Sequence, residues 1–256
     1  MTNRYLEKHP FCEKQITESP SEKLGIVVTI PCYNEPDLFT SLSSIYDCVR
    51  PDCDVEVIVV VNSPQNCTVA VLEQNKRTIR EADAWISKHI DTKIKFYILD
   101  FLNLPQKHAG VGMARKIGMD EAVRRFDFIK NHEDGIIACF DADCQCEKNY
   151  LKSIESHFKN NPKTPACSIY YEHRWSECHS KLQEAKLHLE QQAIIKYELF
   201  LRYYMLAWRY TGHPYSYYTI GSCMAVRSSV YQSQGGMNRR KAGEDFYFLQ
   251  KIIQLG

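Results

Sequence analysis

The chain has 256 residues, of which 44% are hydrophobic and 25% charged, and its formal net charge is +1 at pH 7. This composition is typical of a globular protein, and the length allows one large α/β domain or two small ones. The near-neutral charge argues against sequence-independent nucleic-acid binding, which needs a broadly basic surface. No apolar run in the sequence approaches the roughly 18 residues that are needed to span a bilayer.

Strands and helices are expected to alternate after a polar N-terminal arm at residues 1–23. The predicted elements follow in chain order: a strand at 24–30, a helix from 36, a strand at 55–61, a helix at 71–90, a strand at 93–99 near an edge, a helix at 110–125, a strand at 135–141 and a helix at 149–158. This alternation predicts an α/β fold, a Rossmann-like, doubly wound, mainly parallel sheet with helices on both faces. After residue 165 the pattern changes to a strand at 167–171, a long helix at 180–210, a strand at 218–226 and a helix at 244–255.

The cysteines indicate a reducing compartment. There are eleven, an odd number, and the chain opens with a polar segment rather than a signal peptide. Reduced thiols explain this better than disulfides do, so we expect a cytoplasmic protein, with attachment to the membrane surface as an open alternative. A zinc site built from Cys144, Cys146, Cys178 and His179 is disfavoured, because neither pair has the usual two-residue spacing.

Two carboxylates, Asp141 and Asp143, follow the uncharged run at 135–140. Such a short run is typical of a strand buried on both faces, and ionised carboxylates should leave it at its end because burying them is costly. In an open α/β sheet, ligands bind in the crevice beyond the carboxyl ends of the strands. Paired oxygen ligands at this rim suit Mg²⁺ or Mn²⁺ bridged to a substrate phosphate. A solvated turn explains the pair equally well when it is taken alone.

Two more strands are predicted to end at the same rim. After the first, Tyr33 offers an aromatic face for a base, while Asn34 and Glu35 offer acceptors for ring N–H groups or ribose hydroxyls. After the second, Asn62 can pair with the edge of a nucleobase. Each segment taken singly is explained as well by ordinary turn chemistry.

A turn containing Gly110 and Gly112 precedes the helix predicted at 110–125. The free N–H groups and partial positive charge of a helix N-terminus favour phosphate, and Lys107 and Arg115 would add charge-assisted hydrogen bonds. The turn is not a Walker A loop, since it lacks the Gly-Lys-Ser/Thr ending. A base acceptor, phosphate donors and a metal pair at one rim together predict a nucleoside-diphosphate pocket.

Asp245 stands at the predicted start of the last helix. Capping of that helix is one explanation for a carboxylate at this position. The other is a general base that takes a proton from an attacking hydroxyl across the crevice.

These segments together resemble family 2 glycosyltransferases with the GT-A fold, over about residues 24–256 except the helical segment near 172–215. Four motifs in the expected order carry the resemblance: Pro31-Cys32-Tyr33-Asn34-Glu35, Gly110 through Arg115, Asp141-Ala142-Asp143 and Gly243-Glu244-Asp245. The resemblance implies a hexosyltransferase of glycan biosynthesis that moves a sugar from a nucleotide-diphosphate sugar to an acceptor hydroxyl, usually with inversion. It implies Mg²⁺ or Mn²⁺ as cofactor, a UDP-sugar as the first donor to consider, and a glycan, lipid-linked or small-molecule acceptor.

Carried over to this sequence, the resemblance implies that Asp143 ligates the metal in a DXD motif and that Asp141 contacts the ribose or a metal-bound water. Asp245 would be the general base, and Glu244 would orient the acceptor. The residues expected at the donor are Pro31, Tyr33, Glu35, Asn62, Lys107, Gly110, Arg115, Asp141 and Ala142.

The resemblance also implies that the two halves of one GT-A domain have different functions. Residues 24–165 would bind the donor, and residues 166–256 would bind the acceptor and supply the base. Trp208 lies where this family places acceptor-recognition elements and is expected to contact the acceptor, unless the aromatic residues of its segment only pack the helix. The ending at Gly256 fits either a helix-ended domain or a fragment of a longer chain.

Two positions depart from the family's pattern. Asn62 stands where the family often has an Asp that pairs with the base, and no His follows His213 to match a metal-binding His downstream of the Glu-Asp pair. Two other functions stay open. One is a nucleotidyltransferase, which uses paired carboxylates on a related sheet, and the other is a non-catalytic nucleotide-sugar binding module.

Overall fold

A computed structural model of the chain describes residues 3–131, 134–173, 181–239 and 243–255. The chain divides into two compact units, of which the first comprises Met1–Cys167 and Ile220–Gly256 and the second comprises Ser168–Thr219. In chain order, the helices and strands are α1 (Arg4–Lys8), β1 (Leu24–Cys32), α2 (Leu38–Tyr46), β2 (Asp54–Pro64), α3 (Val69–Ile86), β3 (Ile94–Leu104), α4 (Val111–Phe128), β4 (Ile136–Cys139), α5 (Tyr150–Asn160), β5 (Ala166–Ser168), α6 (Lys181–Tyr210), β6 (Met224–Arg227), α7 (Ser228–Ser233) and α8 (Glu244–Ile253).

The six strands form one sheet in the order β3-β2-β1-β4-β6-β5. β1 pairs in parallel with β2 and β4, and β2 pairs in parallel with β3, whereas β6 runs antiparallel to β4. Helix α4 contacts β1 and β2, and α3 contacts β2 and β3. The predicted mainly parallel sheet flanked by helices is confirmed, as is the position of β3 at an edge.

The centre of the sheet supplies the core. In β2 the nine residues 55–63 are all buried, and each fully buried Val or Ile side chain contributes roughly 1.5–3 kcal/mol to stability. The one charged residue in this run is Glu56, whose carboxylate receives hydrogen bonds of 2.7 and 2.6 Å from the buried guanidinium of Arg125 on α4. This pair neutralises the one charge that the strand carries into the core.

Strand β1 continues through Pro31, where the sequence predicted a break. The carbonyl oxygen of Thr29 accepts a hydrogen bond from the backbone N–H of Phe140, so Thr29 faces the β4 side of β1. Pro31, two residues later, faces the same side at a level beyond Cys139, where β4 has ended. The missing N–H of proline therefore costs no ladder hydrogen bond, and the strand runs on to Cys32.

The polar N-terminal arm packs against the rest of the first unit. Within α1, Tyr5 is buried and its hydroxyl donates to Asp120 Oδ1 at 2.6 Å, while the hydroxyl of Tyr231 donates to the same oxygen at 2.8 Å. Lys116 Nζ lies 2.9 Å from Asp120 Oδ2. The periodicity of the sequence did not indicate this contact, because it depends on one aromatic residue in a polar segment.

Within the described part of the chain, no helix combines the length and the apolar character that crossing a membrane requires.

Candidate active site

The carboxyl ends of β1, β2 and β4 and the start of α4 enclose a cleft of about 420 Å³. Clefts of this size accommodate small-molecule ligands. The residues that line this cleft are Pro31, Cys32, Tyr33, Glu35, Asn62, Pro64, Ala109, Gly110, Val111, Asp141, Ala142 and Asp143. The structure thus brings together eight of the residues that the sequence analysis placed at the donor or the metal. Four others, Cys32, Pro64, Ala109 and Val111, were missed, although each is next to a predicted residue or within two positions of one.

The first wall of the cleft is the turn after β1. Tyr33 is 53% exposed, so its ring is available to a ligand. Asn34 adopts a left-handed conformation with φ of 53°, and its backbone N–H donates to Asn75 Oδ1 at 2.7 Å. The carbonyl oxygen of Glu35 accepts from Thr78 Oγ1 at 2.9 Å. Helix α3, which carries Asn75 and Thr78, therefore fixes the turn that presents Tyr33.

A second wall of the cleft is formed by the start of α4. Gly110 is the N-cap, with a positive φ of 154° that favours glycine and no side chain to occupy the helix terminus. Asn62 is 2% exposed, and its Nδ2 donates to the carbonyl oxygen of Gly110 at 3.3 Å. The amide that was expected to read a base also joins the end of β2 to the start of α4. Lys107 is exposed and does not line the cleft.

Asp141 and Asp143 lie on the floor of the cleft, directly after β4. With the sulfur of Cys144, their carboxylate oxygens fall within 4.8 Å of one another. Burial raises the pKa of Cys144 to about 12, and thiol sulfur is a soft ligand that suits Mg²⁺ less well than carboxylate oxygen does. The two carboxylates are the oxygen ligands that Mg²⁺ and Mn²⁺ prefer. Cys178 and His179 of the disfavoured zinc set lie outside the described residues.

The loop that carries the two aspartates is held by α2. Ser41 is fully buried on the same face as Leu42, and its Oγ lies 2.6 Å from the carbonyl oxygens of both Ala142 and Cys144. A hydroxyl has one proton, so it serves these two acceptors in turn. The sequence contained no signal for this contact beyond a small polar residue on an otherwise apolar helix face.

Replacing Ser41 with alanine should destabilise the protein by about 1–3 kcal/mol, because two carbonyl oxygens, one buried and one partly buried, lose their donor. The loop of the two aspartates should loosen at the same time, so the Mn²⁺-dependent nucleotide binding that the sequence predicts should weaken. Denaturant unfolding and a nucleotide titration measure the two effects. The control is Ser43→Ala on the same helix, where the half-buried side chain is not seen to hold the loop. Equal stability of the two variants would contradict the assigned role of Ser41.

Arg115 occupies a different place from the one expected of a phosphate ligand. It is 4% exposed, does not line the cleft, and its guanidinium forms ion pairs with Asp141 and with Glu244. The bond from Arg115 Nη2 to Asp141 Oδ1 is 2.7 Å long. Arg115 therefore connects the floor of the cleft to the start of α8, and its contact with a phosphate stays a prediction.

Glu244 and Asp245 open α8 but differ in environment. Glu244 is 2% exposed, and burial raises the pKa of its carboxyl group despite the neighbouring Arg115. Asp245 is half-buried, and its Oδ1 accepts from the backbone N–H of Phe246 at 2.7 Å. The N-cap of α8 is Gly243, with φ of 69° and no side-chain cap bond, so Asp245 is not the capping residue. Asp245 does not line the cleft.

Trp208 belongs to the second unit, in the last turns of α6. Its ring lies 4.7 Å from that of Tyr204 and 4.3 Å from that of His213, measured between centroids. The aromatic stack continues to Tyr215, whose ring is 5.6 Å from His213. Within its own unit, Trp208 is thus one member of a row of packed rings, and its contact with an acceptor stays a prediction.

Comparison with known proteins extends these observations. The model of glycosyl transferase family 2 matches residues 27–233. No curated protein matches the chain significantly.

Among solved structures, residues 1–349 of TarS from S. aureus align with a TM-score of 0.54 and 14% identity, covering 90% of this chain and 55% of that one. The same region of TarS in complex with UDP-GlcNAc aligns with a TM-score of 0.54 and 14% identity, covering 91% and 54%. This chain thus spans about half the length of those structures, and the likeness confirms the predicted GT-A fold. The family model covers most of the chain, and the four motifs lie on the elements described above, so this protein belongs to glycosyl transferase family 2.

Proposed function

We propose that this protein transfers a hexosyl residue from a UDP-sugar to an acceptor hydroxyl, with inversion at the anomeric carbon. The observation that carries the proposal is the cleft itself. It combines an exposed aromatic ring at Tyr33, a helix N-terminus at Gly110 and two carboxylates at Asp141 and Asp143. An aromatic face, a phosphate-binding helix terminus and paired oxygen ligands are the elements that a nucleoside diphosphate requires. TarS, which shares the fold, has been solved with UDP-GlcNAc and with UDP, which makes a UDP-sugar the first donor to test.

Asp143 and Asp141 are proposed to hold Mg²⁺ or Mn²⁺, and their paired oxygens fit such an ion. A divalent ion bound there would neutralise the negative charge that develops on the departing diphosphate. Asp141 is also paired with Arg115, which fixes its carboxylate before any ligand binds. Preorganisation of this kind avoids a rearrangement during the reaction.

The remaining steps are assigned to the chain's own residues. Tyr33 would stack on the base, with Asn62 at its edge, and the N–H groups that open α4 would bind phosphate oxygens. The acceptor oxygen would attack the sugar from the side opposite the diphosphate, and its proton would pass to the carboxylate of Asp245. Glu244, held by Arg115, would position the acceptor indirectly, because its own carboxylate is buried.

The two halves of the domain are proposed to bind different substrates. Residues 24–165 would bind the donor, and residues 166–256, including Trp208, would bind a glycan, lipid-linked or small-molecule acceptor and supply the base. The free cysteines of the described residues favour a reducing compartment, so a cytoplasmic protein that works in solution or at the membrane surface is proposed.

Asp143→Ala should abolish the part of UDP binding that depends on Mn²⁺. A ligand at 100 times its dissociation constant stabilises a fold by about 2.7 kcal/mol, and the wild-type protein should show this gain with UDP and Mn²⁺ together. Thermal unfolding with UDP, Mn²⁺, both and neither measures it. The control is Asp47→Ala, since Asp47 is exposed at the end of α2 and does not line the cleft.

Two outcomes would overturn the proposal. Equal Mn²⁺-dependent stabilisation of the wild-type and Asp143→Ala proteins would remove the metal role. Release of pyrophosphate from a nucleoside triphosphate, with no transfer from a nucleotide sugar, would identify a nucleotidyltransferase instead.

A further inference from the structure

Two cysteines that no step of the proposed reaction uses lie side by side near the floor of the cleft. Cys48 follows the end of α2, and Cys146 lies between Asp143 and the start of α5. Their sulfur atoms are 3.6 Å apart, and both are free thiols. A disulfide has an S–S distance of about 2.05 Å, so a movement of roughly 1.5 Å would join them.

Neither cysteine lies in a helix or a strand. The backbone of residues 141–149 forms neither, and Cys48 stands in the bend that follows α2. Cys48 is 4% exposed and Cys146 is half-buried. The N–H of Cys146 donates to Ser44 Oγ at 3.2 Å, which keeps its side chain next to α2. The pair is thus kept in contact, and no helix or strand hydrogen bonding at either cysteine opposes the movement that would join the two sulfur atoms.

The two thiols differ in acidity. The hydrogen bond from the Cys146 thiol lowers the pKa of Cys48, and backbone N–H groups at the start of α5 and the charge of Arg50 act in the same direction. The same hydrogen bond, followed by burial, raises the pKa of Cys146. Of the two thiols, Cys48 is therefore the one that loses its proton more readily, and thiolate is the reactive form of cysteine.

We propose that Cys48 and Cys146 form a reversible oxidation site, which hydroperoxides convert into an intramolecular disulfide. Cys48 is the attacking sulfur because it is the more acidic of the two thiols, and a small peroxide suits its buried position. The inference rests on this pair alone and is independent of the proposed glycosyl transfer.

The chemistry balances with the hydroperoxide as the only oxidant. The Cys48 thiolate attacks one peroxide oxygen, the O–O bond breaks, and the alkoxide that leaves takes a proton from solvent. Cys48 is then a sulfenic acid. The sulfur of Cys146 attacks it, the S–O bond breaks, and the hydroxyl leaves as water with the proton of the Cys146 thiol. In total, two thiols lose two electrons and two protons, and the peroxide is reduced to an alcohol and water.

Reduction of the disulfide should begin with attack on the sulfur of Cys146, not on that of Cys48. A dithiol reductant reaches the half-buried sulfur of Cys146 more easily than that of Cys48. Cys48 is then the leaving group, and a sulfur with the lower pKa leaves faster. The same asymmetry thus serves oxidation and reduction.

The test treats the full chain with hydrogen peroxide and then follows free thiols and disulfide-linked peptides by mass spectrometry without reduction. The wild-type protein should lose two thiols and yield a peptide that links Cys48 to Cys146, and dithiothreitol should restore both. Cys48→Ser and Cys146→Ser should each abolish the linked peptide. The matched control is Cys167→Ser, a half-buried cysteine of β5, which should behave as the wild type.

Two results would overturn the proposal. One is oxidation of other cysteines in the wild-type protein while no link between Cys48 and Cys146 forms. The other is a Cys146→Ser protein that loses two thiols as fast as the wild type. Should Cys48→Ser fail to fold because the residue is buried, Cys146→Ser still decides the question, since its position is half-exposed.

Discussion

The Asp245→Asn protein should bind a UDP-sugar with unchanged affinity and transfer the sugar about 10²- to 10⁴-fold more slowly than the wild type. Asparagine has the shape of aspartate but cannot accept the proton of the attacking hydroxyl. The fold should survive the change, because the N-cap of α8 is Gly243 and an amide oxygen can still accept from the N–H of Phe246. Initial rates at saturating donor, with donor affinity from calorimetry, separate the chemical step from binding.

The control for this experiment is Asp47→Asn, which makes the same chemical change at an exposed position of the first unit. It should leave both the rate and the affinity unaltered. Full activity of the Asp245→Asn protein would exclude Asp245 as the base. An equal loss of donor affinity and rate would show instead that the residue supports the site's structure.

The second large effect is expected at Arg115. Replacing it with methionine should destabilise the protein by about 3–5 kcal/mol, because Asp141 and the buried Glu244 would both lose their counter-charge. For a protein of this size that corresponds to a fall in Tm of roughly 6–20 °C. Mn²⁺-dependent UDP binding should weaken as well, since Asp141 would no longer be held in place.

Matched variants separate the ion pairs from general effects. Lys95→Met removes the largely exposed partner of Glu18 and should cost less than about 1 kcal/mol. Arg115→Lys keeps the positive charge but loses the forked guanidinium that spans two carboxylates. Its loss of stability should therefore fall between those of the Arg115→Met and Lys95→Met proteins. Adding Glu244→Gln to Arg115→Met should recover part of the stability, because one uncompensated charge disappears. Equal stability of the Arg115→Met and Lys95→Met proteins would contradict the assignment.

The stability loss of Arg115→Met should also depend on pH in a defined direction. Burial already raises the pKa of Glu244, which means that the folded protein binds a proton at this carboxyl group more tightly than the unfolded chain does. Without Arg115 that preference becomes stronger, so the variant should be most destabilised where the carboxyl is ionised. The Tm difference from the wild type should therefore shrink as the pH falls towards the titration range of the carboxylates.

The sequence predicted most of the residues that line the cleft. Apolar runs located β1, β2 and β4, and the polar residues after each run were expected to meet because the carboxyl ends of parallel strands share one edge. Tyr33, Asn62 and Asp143 do line one cleft, as that reasoning required. Here the local pattern was sufficient, because the polar residue and the strand end are adjacent in the chain.

Strand β6 shows where local pattern failed. The sequence predicted a strand at 218–226, but only Met224–Arg227 is paired. Its partner β4 has four residues, so the antiparallel ladder between them ends after four pairs. The length of this strand depends on a neighbour that lies far away in sequence, and the periodicity of residues 218–226 contains no information about it.

The contacts that hold the cleft together could not be predicted from the sequence either. Arg115 meets Glu244 across 129 positions, Ser41 meets Ala142 across 101, and Cys48 meets Cys146 across 98. Hydrophobic periodicity reports whether a residue is buried, not which distant side chain it meets. The residues that line the cleft could therefore be predicted from their positions after strands, whereas the residues that hold them in place emerge only when the helices are packed on the sheet.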